Sequence, residues 1–262
     1  MFAQHLARNH LTDKVFWHHY DDFYVPIFKN LKKAPSRICE IGIYRGDSLR
    51  WLRDQIPEAQ IFAADILTIQ ENWPIHNNIS YFQLDQSNEI QLRNFFQLSK
   101  PDLIIEDGSH HPTHQALSLM LGIEALKNHT SEGIYILEDV HTSHPLHPQM
   151  KSKLRWFSKN RFVRRDFQGN SLTLLLAIEH LKSHGKVMTF ETAKKLSNDL
   201  FSTSQVFMLS KNIKKILLYR RTRLPDHCHA CGSFDFDYHK LKCQCNEEIF
   251  SDTDSMTFAI FT

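Results

Sequence analysis

Arg37-Ile38-Cys39-Glu40-Ile41-Gly42-Ile43-Tyr44-Arg45-Gly46-Asp47-Ser48-Leu49 is the stretch whose reading decides the fold. The apolar run Arg37 to Ile41 predicts a strand, the two glycines a turn, and Leu49, Trp51 and Leu52 a helix behind it. Glycine there lets the backbone pass close to a ligand, and the helix that follows offers free N–H groups. The chain has only eight glycines in 262 residues, so each carries positional information.

The same rhythm continues downstream. Strands are expected at Gln60 to Ala64, Ile79 to Leu84, Pro101 to Ile105 and Gly133 to Leu137, with helices at Glu89 to Leu98 and Thr113 to Lys127. Alternation of this kind predicts an α/β fold, a doubly wound, mostly parallel sheet. Upstream, Thr12-Asp13-Lys14 reads as a helix start, and Val15, Phe16, His19, Phe23, Ile27 and Leu31 continue it to about residue 31. Beyond Pro145 the rhythm breaks. Thr189 to Leu200 reads as a helix, and Gln205 to Leu209 with Ile213 to Tyr219 as two closing strands. The expected organisation is an N-terminal helical lid (1–33), a core domain (34–223) and a cysteine-rich tail (224–262).

Composition narrows the functional classes. Thirty-one Lys plus Arg against 29 Asp plus Glu give +2, too balanced for a protein that coats nucleic acid by bulk charge. No apolar run approaches the roughly 18 residues of a membrane span, and the first residues lack a secretory signal's apolar core. A cytoplasmic location is therefore expected, with no membrane partner. Seventeen histidines would carry the charge to +19 if all were protonated.

In a parallel sheet the ligand sits beyond the carboxyl ends of the strands. Those ends carry Glu40, Gly42 and Gly46 after the first strand, Asp65 after the second and Asp85-Gln86-Ser87 after the third. A carboxylate such as Asp65 can take both hydroxyls of a ribose. Asp85 and Gln86 can border an adenine. The bland alternative for each is a helix cap or an ordinary turn; together they favour a bound adenosine.

The glycine spacing resembles the first motif of class I S-adenosylmethionine (SAM) methyltransferases, whose fold is Rossmann-like. More narrowly, Glu40 to Arg50, Pro57 and Ala64-Asp65-Ile66 resemble the mycinamicin-type macrolide sugar O-methyltransferases, which are metal-dependent. Thr12-Asp13-Lys14 with His18, Tyr20 and Tyr24, then Ile105 to His111, then Glu138 to Ser143, match further motifs of that group in order. The resemblance covers roughly residues 10 to 145. It implies a cofactor site of Glu40, Gly42, Tyr44, Gly46, Ser48, Asp65, Asp85, Gln86 and Asp107. It also implies Mg²⁺ on Asp107, Glu138 and Asp139, with His110 as the base. Hard oxygen ligands suit Mg²⁺, and a metal plus a base would activate an alcohol. Asp107-Gly108 is equally an ordinary turn pair, and Asp139 equally a loop cap. His18 and Tyr20 read either as a lid over the SAM site or as a helix face packed on the sheet.

Cys228-x-x-Cys231 and Cys243-x-Cys245 place four of the five cysteines within 18 residues. Four thiolates could hold one structural Zn²⁺, with His227, His229 or His239 near enough to replace a ligand; the alternative is an inert cluster of thiols. Cys39 reads as plain packing. Lys151 to Arg165 carries seven Lys or Arg among three aromatic residues, and Lys211 to Arg223 is a second basic run. A solvated face is the favoured reading of such a run, an anionic acceptor or RNA the sharper one.

The expected function is a SAM-dependent, Mg²⁺-assisted O-methyltransferase acting on a hydroxyl of a sugar, on a natural product or surface glycan. The acceptor's identity and any homo-oligomer stay open. The cephalosporin C7-hydroxylation proteins resemble the same group, and fold analogy does not fix a reaction. The alternative is a non-catalytic SAM-fold module whose zinc tail recruits a protein or RNA.

Overall fold

The computed structural model describes residues 12–144, 169–251 and 253–262. The basic stretch Lys151 to Arg165 lies outside them. Strands β1 (Arg37–Ile41), β2 (Gln60–Asp65), β3 (Ile79–Gln83), β4 (Leu103–Glu106) and β5 (Ile134–Leu137) run parallel. β6 (Lys215–Arg220) follows, then the two-residue strands β7 (Phe236–Asp237) and β8 (Lys242–Cys243), then β9 (Met256–Phe261). The main sheet has the order β3-β2-β1-β4-β5-β9-β6, with β9 antiparallel to both neighbours. Strand order reverses between β1 and β4, and at such a switch point the loops diverge and leave a crevice.

Every residue of β4 and β5 is buried, as expected of strands covered on both faces. Alternation assigns the faces. Cys39, Ile41, Ile104, Tyr135 and Leu137 point into one core, and Ile38, Leu103, Ile105, Ile134 and Ile136 into the other. The second core is closed by α2 (Asp21–Asn30) and α3 (Asp47–Gln55), preceded in the chain by the four-residue α1 (Asp13–Phe16). On the first face lie α4 (Glu89–Ser99), α5 (Pro112–His129), α6 (Ser171–Ser183), α7 (Phe190–Leu196) and α8 (Thr203–Asn212). Among the described residues no helix is long and apolar enough to cross a membrane.

Three sequence expectations need correction. The N-terminal helix is two helices, because the chain breaks at His19, whose φ is +53° and whose ring bonds to the Leu224 carbonyl oxygen. Gln205 to Leu209 is helical rather than a strand. Ser202 and Gln205 form a reciprocal capping box, the start signal that its apolar run obscured. The strand that closes on β6 is instead β9, so residues 224–262 do not form one appended unit. Residues 224–251 form a small knuckle, and 256–261 return to the sheet.

Candidate functional site

The loops after β1 to β5 enclose a cavity of about 620 Å³ at the carboxyl edge of the sheet. Its first half is built on the glycine turn. Gly42, at φ +95°, presses so closely on β4 that a Cβ would lie 2.1 Å from the Asp107 carbonyl oxygen. Gly42→Ala is therefore expected to displace Asp107 and cost on the order of 1–3 kcal/mol; a urea midpoint equal to wild type would contradict this. Gly46, also left-handed, stands immediately before α3, while Tyr44 is largely exposed on the cavity rim.

Asp65 lines the same half. Its Oδ2 accepts from the amides of Ile43 (2.7 Å) and Tyr44 (3.2 Å), and Oδ1 accepts from Leu67 N. The carboxylate thus ties β2 to the glycine loop at the cavity wall. Asp85 is half-buried and caps Ser87, whose hydroxyl and amide hold its pKa below the usual carboxylate value. Gln86 is buried. It donates to Glu106 Oε1 and accepts from Ser109 N at 2.9 Å, pinning the β3 end to the loop after β4. Burial pushes Glu106 up to about 7.

The second half gathers the carboxylates. One ligand atom each from Asp107, His110 and Asp139 lies within 4.8 Å of the others. His110 Nε2 is 3.6 Å from Asp139 Oδ2 and 3.9 Å from Asp107 Oδ1. His110 and Asp139 both have left-handed backbones, φ +53° and +50°, a conformation that costs a non-glycine residue on the order of 1 kcal/mol. Strain of this kind collects where a side chain must be aimed.

β5 ends at Leu137, so Glu138 and Asp139 both lie beyond the pleat, yet their side chains diverge. Glu138 accepts from Tyr24 OH and from Lys14 Nζ at 2.6 Å. Asp139 accepts from Tyr20 OH, with His18 Nδ1 at 3.7 Å and His141 Nδ1 at 3.8 Å. Burial raises the pKa of Glu138 well above normal, and Asp107 adds to it. Burial would raise Asp139 too, but His18, His141 and His110 outweigh it and pull it far down. Burial raises Asp107 despite Lys14.

Lys14 is the residue the sequence reading left without a role. Its ammonium is buried, donates to Asp107 and Glu138, and lies 3.7 Å from Glu40 Oε1. Burial opposes its charge, but the three carboxylates prevail and raise its pKa. Glu40, on β1 beside the buried Ser48, is raised by burial to about 7 even so. A signal was available: acids such as Glu40, within an apolar strand, and Glu138, directly after one, require a buried counter-charge.

The four cysteines of the knuckle also converge. Cys228 and Cys245 sulfurs are 3.6 Å apart and Cys231 and Cys243 sulfurs 3.4 Å, all four within 4.8 Å. A disulfide needs about 2.0 Å. Tetrahedral zinc with bonds near 2.3 Å spaces its sulfurs by about 3.8 Å, close to what is seen. His227 instead stacks on Phe16, and His229 faces Trp17 and Glu247. The second basic run does not form one surface, since Arg221 is buried and Arg223 pairs with Asp22.

No family model matches the chain. It is 31% identical over 152 residues to the 8-demethyl-8-(2-methoxy-α-L-rhamnosyl)-tetracenomycin-C 3′-O-methyltransferase of Streptomyces olivaceus, covering 53% of this chain and 37% of that protein. Among solved structures it is similar to the MycE methyltransferase from the mycinamycin biosynthetic pathway. The complex of that protein with Mg and S-adenosylhomocysteine (SAH) matches with a TM-score of 0.52 at 25% identity, over 69% of this chain and 48% of that one. Its complex that also contains mycinamycin VI matches with a TM-score of 0.52 at 26% identity over the same shares. The chain spans less than half the length of these relatives. By sequence and fold it is similar to these methyltransferases; the matches give no support to the cephalosporin-related reading.

Proposed function

We propose that the protein transfers a methyl group from SAM to a sugar hydroxyl of a small-molecule or glycan acceptor, with Mg²⁺ assistance. One observation carries this reading: a single cavity joins the strand-end cradle of Gly42, Asp65 and Asp85 to the cluster of Asp107, His110 and Asp139. The related MycE structures contain Mg and SAH, the demethylated product of SAM, in a fold of this type. Asp65 takes the ribose hydroxyls on its free lone pairs, and the loop from Asp85 to Ser87 borders the adenine. Gly46, expected in the cofactor site, instead serves packing: a Cβ there would lie 2.7 Å from Pro74 Cδ, on the side of Trp73 and not of the cavity.

The donor set fits a hard divalent cation, with Asp107 and Asp139 as the oxygen ligands. Glu138, the third carboxylate of the expected set, is held by Lys14 and Tyr24 and joins only by exchanging Lys14. When bound, Mg²⁺ lowers the pKa of the acceptor hydroxyl. His110 Nε2 takes that hydroxyl's proton as the oxygen displaces neutral SAH from the sulfonium methyl carbon. Proton and methyl thus leave in opposite directions, the first to imidazole and the second to the acceptor oxygen. In the knuckle the four cysteine thiolates hold one structural Zn²⁺.

Calorimetric titration with SAH tests the adenosine half. Wild type is expected to bind, and Asp65→Ala to bind at least about tenfold more weakly, equivalent to about 1.4 kcal/mol. Absence of binding to wild type would overturn the reading.

A further inference from the structure

We infer that the cysteine knuckle, residues 224–251, forms the acceptor-side wall of the cavity, and that zinc loading is what holds this wall and the segment Lys14–Tyr20, which reaches the carboxylates, in place. The inference rests on the methyl-transfer reading for the word acceptor only.

Topology puts the knuckle there. β6 ends and β9 begins at the carboxyl edge beside β5, with Arg220 paired to Met256 and Leu137 to Phe258. Residues 221–255 therefore emerge over the end of β5, where Glu138 and Asp139 stand. The adenosine half lies across the switch point, over β2 and β3. Consistently, His229 of the knuckle lines the cavity together with Phe16 and His18. Aromatic and imidazole faces of this kind suit the C–H face and hydroxyls of a sugar ring.

The knuckle also grips the segment that reaches the carboxylates. Trp17 packs into a small apolar cluster with Cys228, Phe236, Cys243 and Ile249. Phe16 stacks on His227 with ring centroids 4.0 Å apart, and the Phe16 carbonyl accepts from Asp226 N. Buried Arg221 donates to the carbonyl oxygens of Trp17 and Ile249, and pairs with Asp254. His18 meets Ser255 Oγ at 2.8 Å, and His19 the Leu224 carbonyl at 2.9 Å. From the other side of the same segment, Lys14 and Tyr20 reach Glu138, Asp107 and Asp139.

Neither partner is stable alone. The helix at residues 13–16 has four residues and no side-chain cap, far below the length at which a helix holds itself. The knuckle has two two-residue strands and contributes four buried residues to its core, of which two are cysteines. Modules of that size depend on a metal or a crosslink. Zinc at Cys228, Cys231, Cys243 and Cys245 therefore orders the knuckle, the knuckle orders Trp17, and Trp17 fixes the reach of Lys14, His18 and Tyr20.

Hydrogen exchange on the full chain tests this, with zinc bound and after chelation. Peptides covering residues 12–24 are expected to exchange at least about tenfold faster without zinc, while β1 and β4 stay protected and the SAH affinity holds. Trp17→Ala should expose the same peptides with zinc still bound. Saturation-transfer NMR with methyl α-L-rhamnoside as probe should show contact with the zinc-loaded SAH complex, lost on chelation and in His229→Ala. Unchanged exchange at 12–24 after zinc loss, a purified chain with no zinc, or no transfer to the loaded complex would each overturn the inference. Failure of wild type to bind SAH would instead sink the methyl-transfer reading, and the exchange result would still decide whether zinc orders the segment.

Discussion

His110→Ala is expected to bind SAH as wild type does, while methyl transfer to any acceptor the wild type accepts falls by roughly 10²–10⁴-fold. The imidazole stands in the cavity wall, with Nε2 turned toward the two carboxylates assigned to the metal. Because residue 110 sits at φ +53°, alanine adds backbone strain of its own, so His110→Asn provides the control. Asparagine tolerates the left-handed region and cannot accept the proton as imidazole does. Both variants should lose turnover alike. Single-turnover rates measured beside calorimetric SAH affinity check the pair, and undiminished turnover in either removes His110 from the mechanism.

The largest effect on stability is expected at Lys14. Lys14→Met keeps much of the side chain's length but leaves Glu138, Asp107 and Glu40 facing one another without a counter-charge. Removing one partner of a buried ion pair costs about 3–5 kcal/mol. The loss should depend on pH in a definite direction. The three carboxylates already have folded-state pKa values above normal, with Glu40 at about 7, and the variant raises them further. A carboxylate raised in this way has its full stability below its unfolded pKa near 4 and loses it as pH rises through the folded value. Lys14, whose own pKa is raised, stays charged throughout that window. The gap between wild type and variant should therefore widen from pH 5 to pH 8. Urea midpoints at the two values measure it, and a gap that narrows would refute the assignment.

Why some of this was legible in the sequence and some was not comes down to range. The parallel strands announce themselves because each is a short apolar run followed within a residue or two by Gly or Asp, and a continuous run of that length needs no tertiary information. Asp65 follows from the same strand-end reading, whereas Asp107 and Asp139 were named through the family resemblance. What failed depends on distant partners. His19 breaks a helix that local periodicity supports, because the Leu224 carbonyl, 205 residues away, holds its ring. Gln86 read as a free amide, yet Glu106 and Ser109 hold it at the cavity wall, partners that lie 20 and 23 residues away. Glu138 and Asp139 are neighbours in sequence, yet a left-handed turn at Asp139 gives them different partners. Lys14 read only as part of a helix start and a matching motif, because nothing within its own helix shows that three acids await it.

The placement of β9 bears on how the molecule is made. Met256–Phe261 follows every other described strand in the chain, yet it lies between β5 and β6. Until it arrives, β5 presents an open apolar edge and β6 has no hydrogen-bonded neighbour. On the ribosome the first five strands can assemble early, but the sheet stays split while the knuckle is synthesised. Unpaired edges of this kind recruit other chains. Arrival of β9 thus acts as a late stitch, joining the two parts of the sheet and bringing the knuckle down beside β5 in the same event.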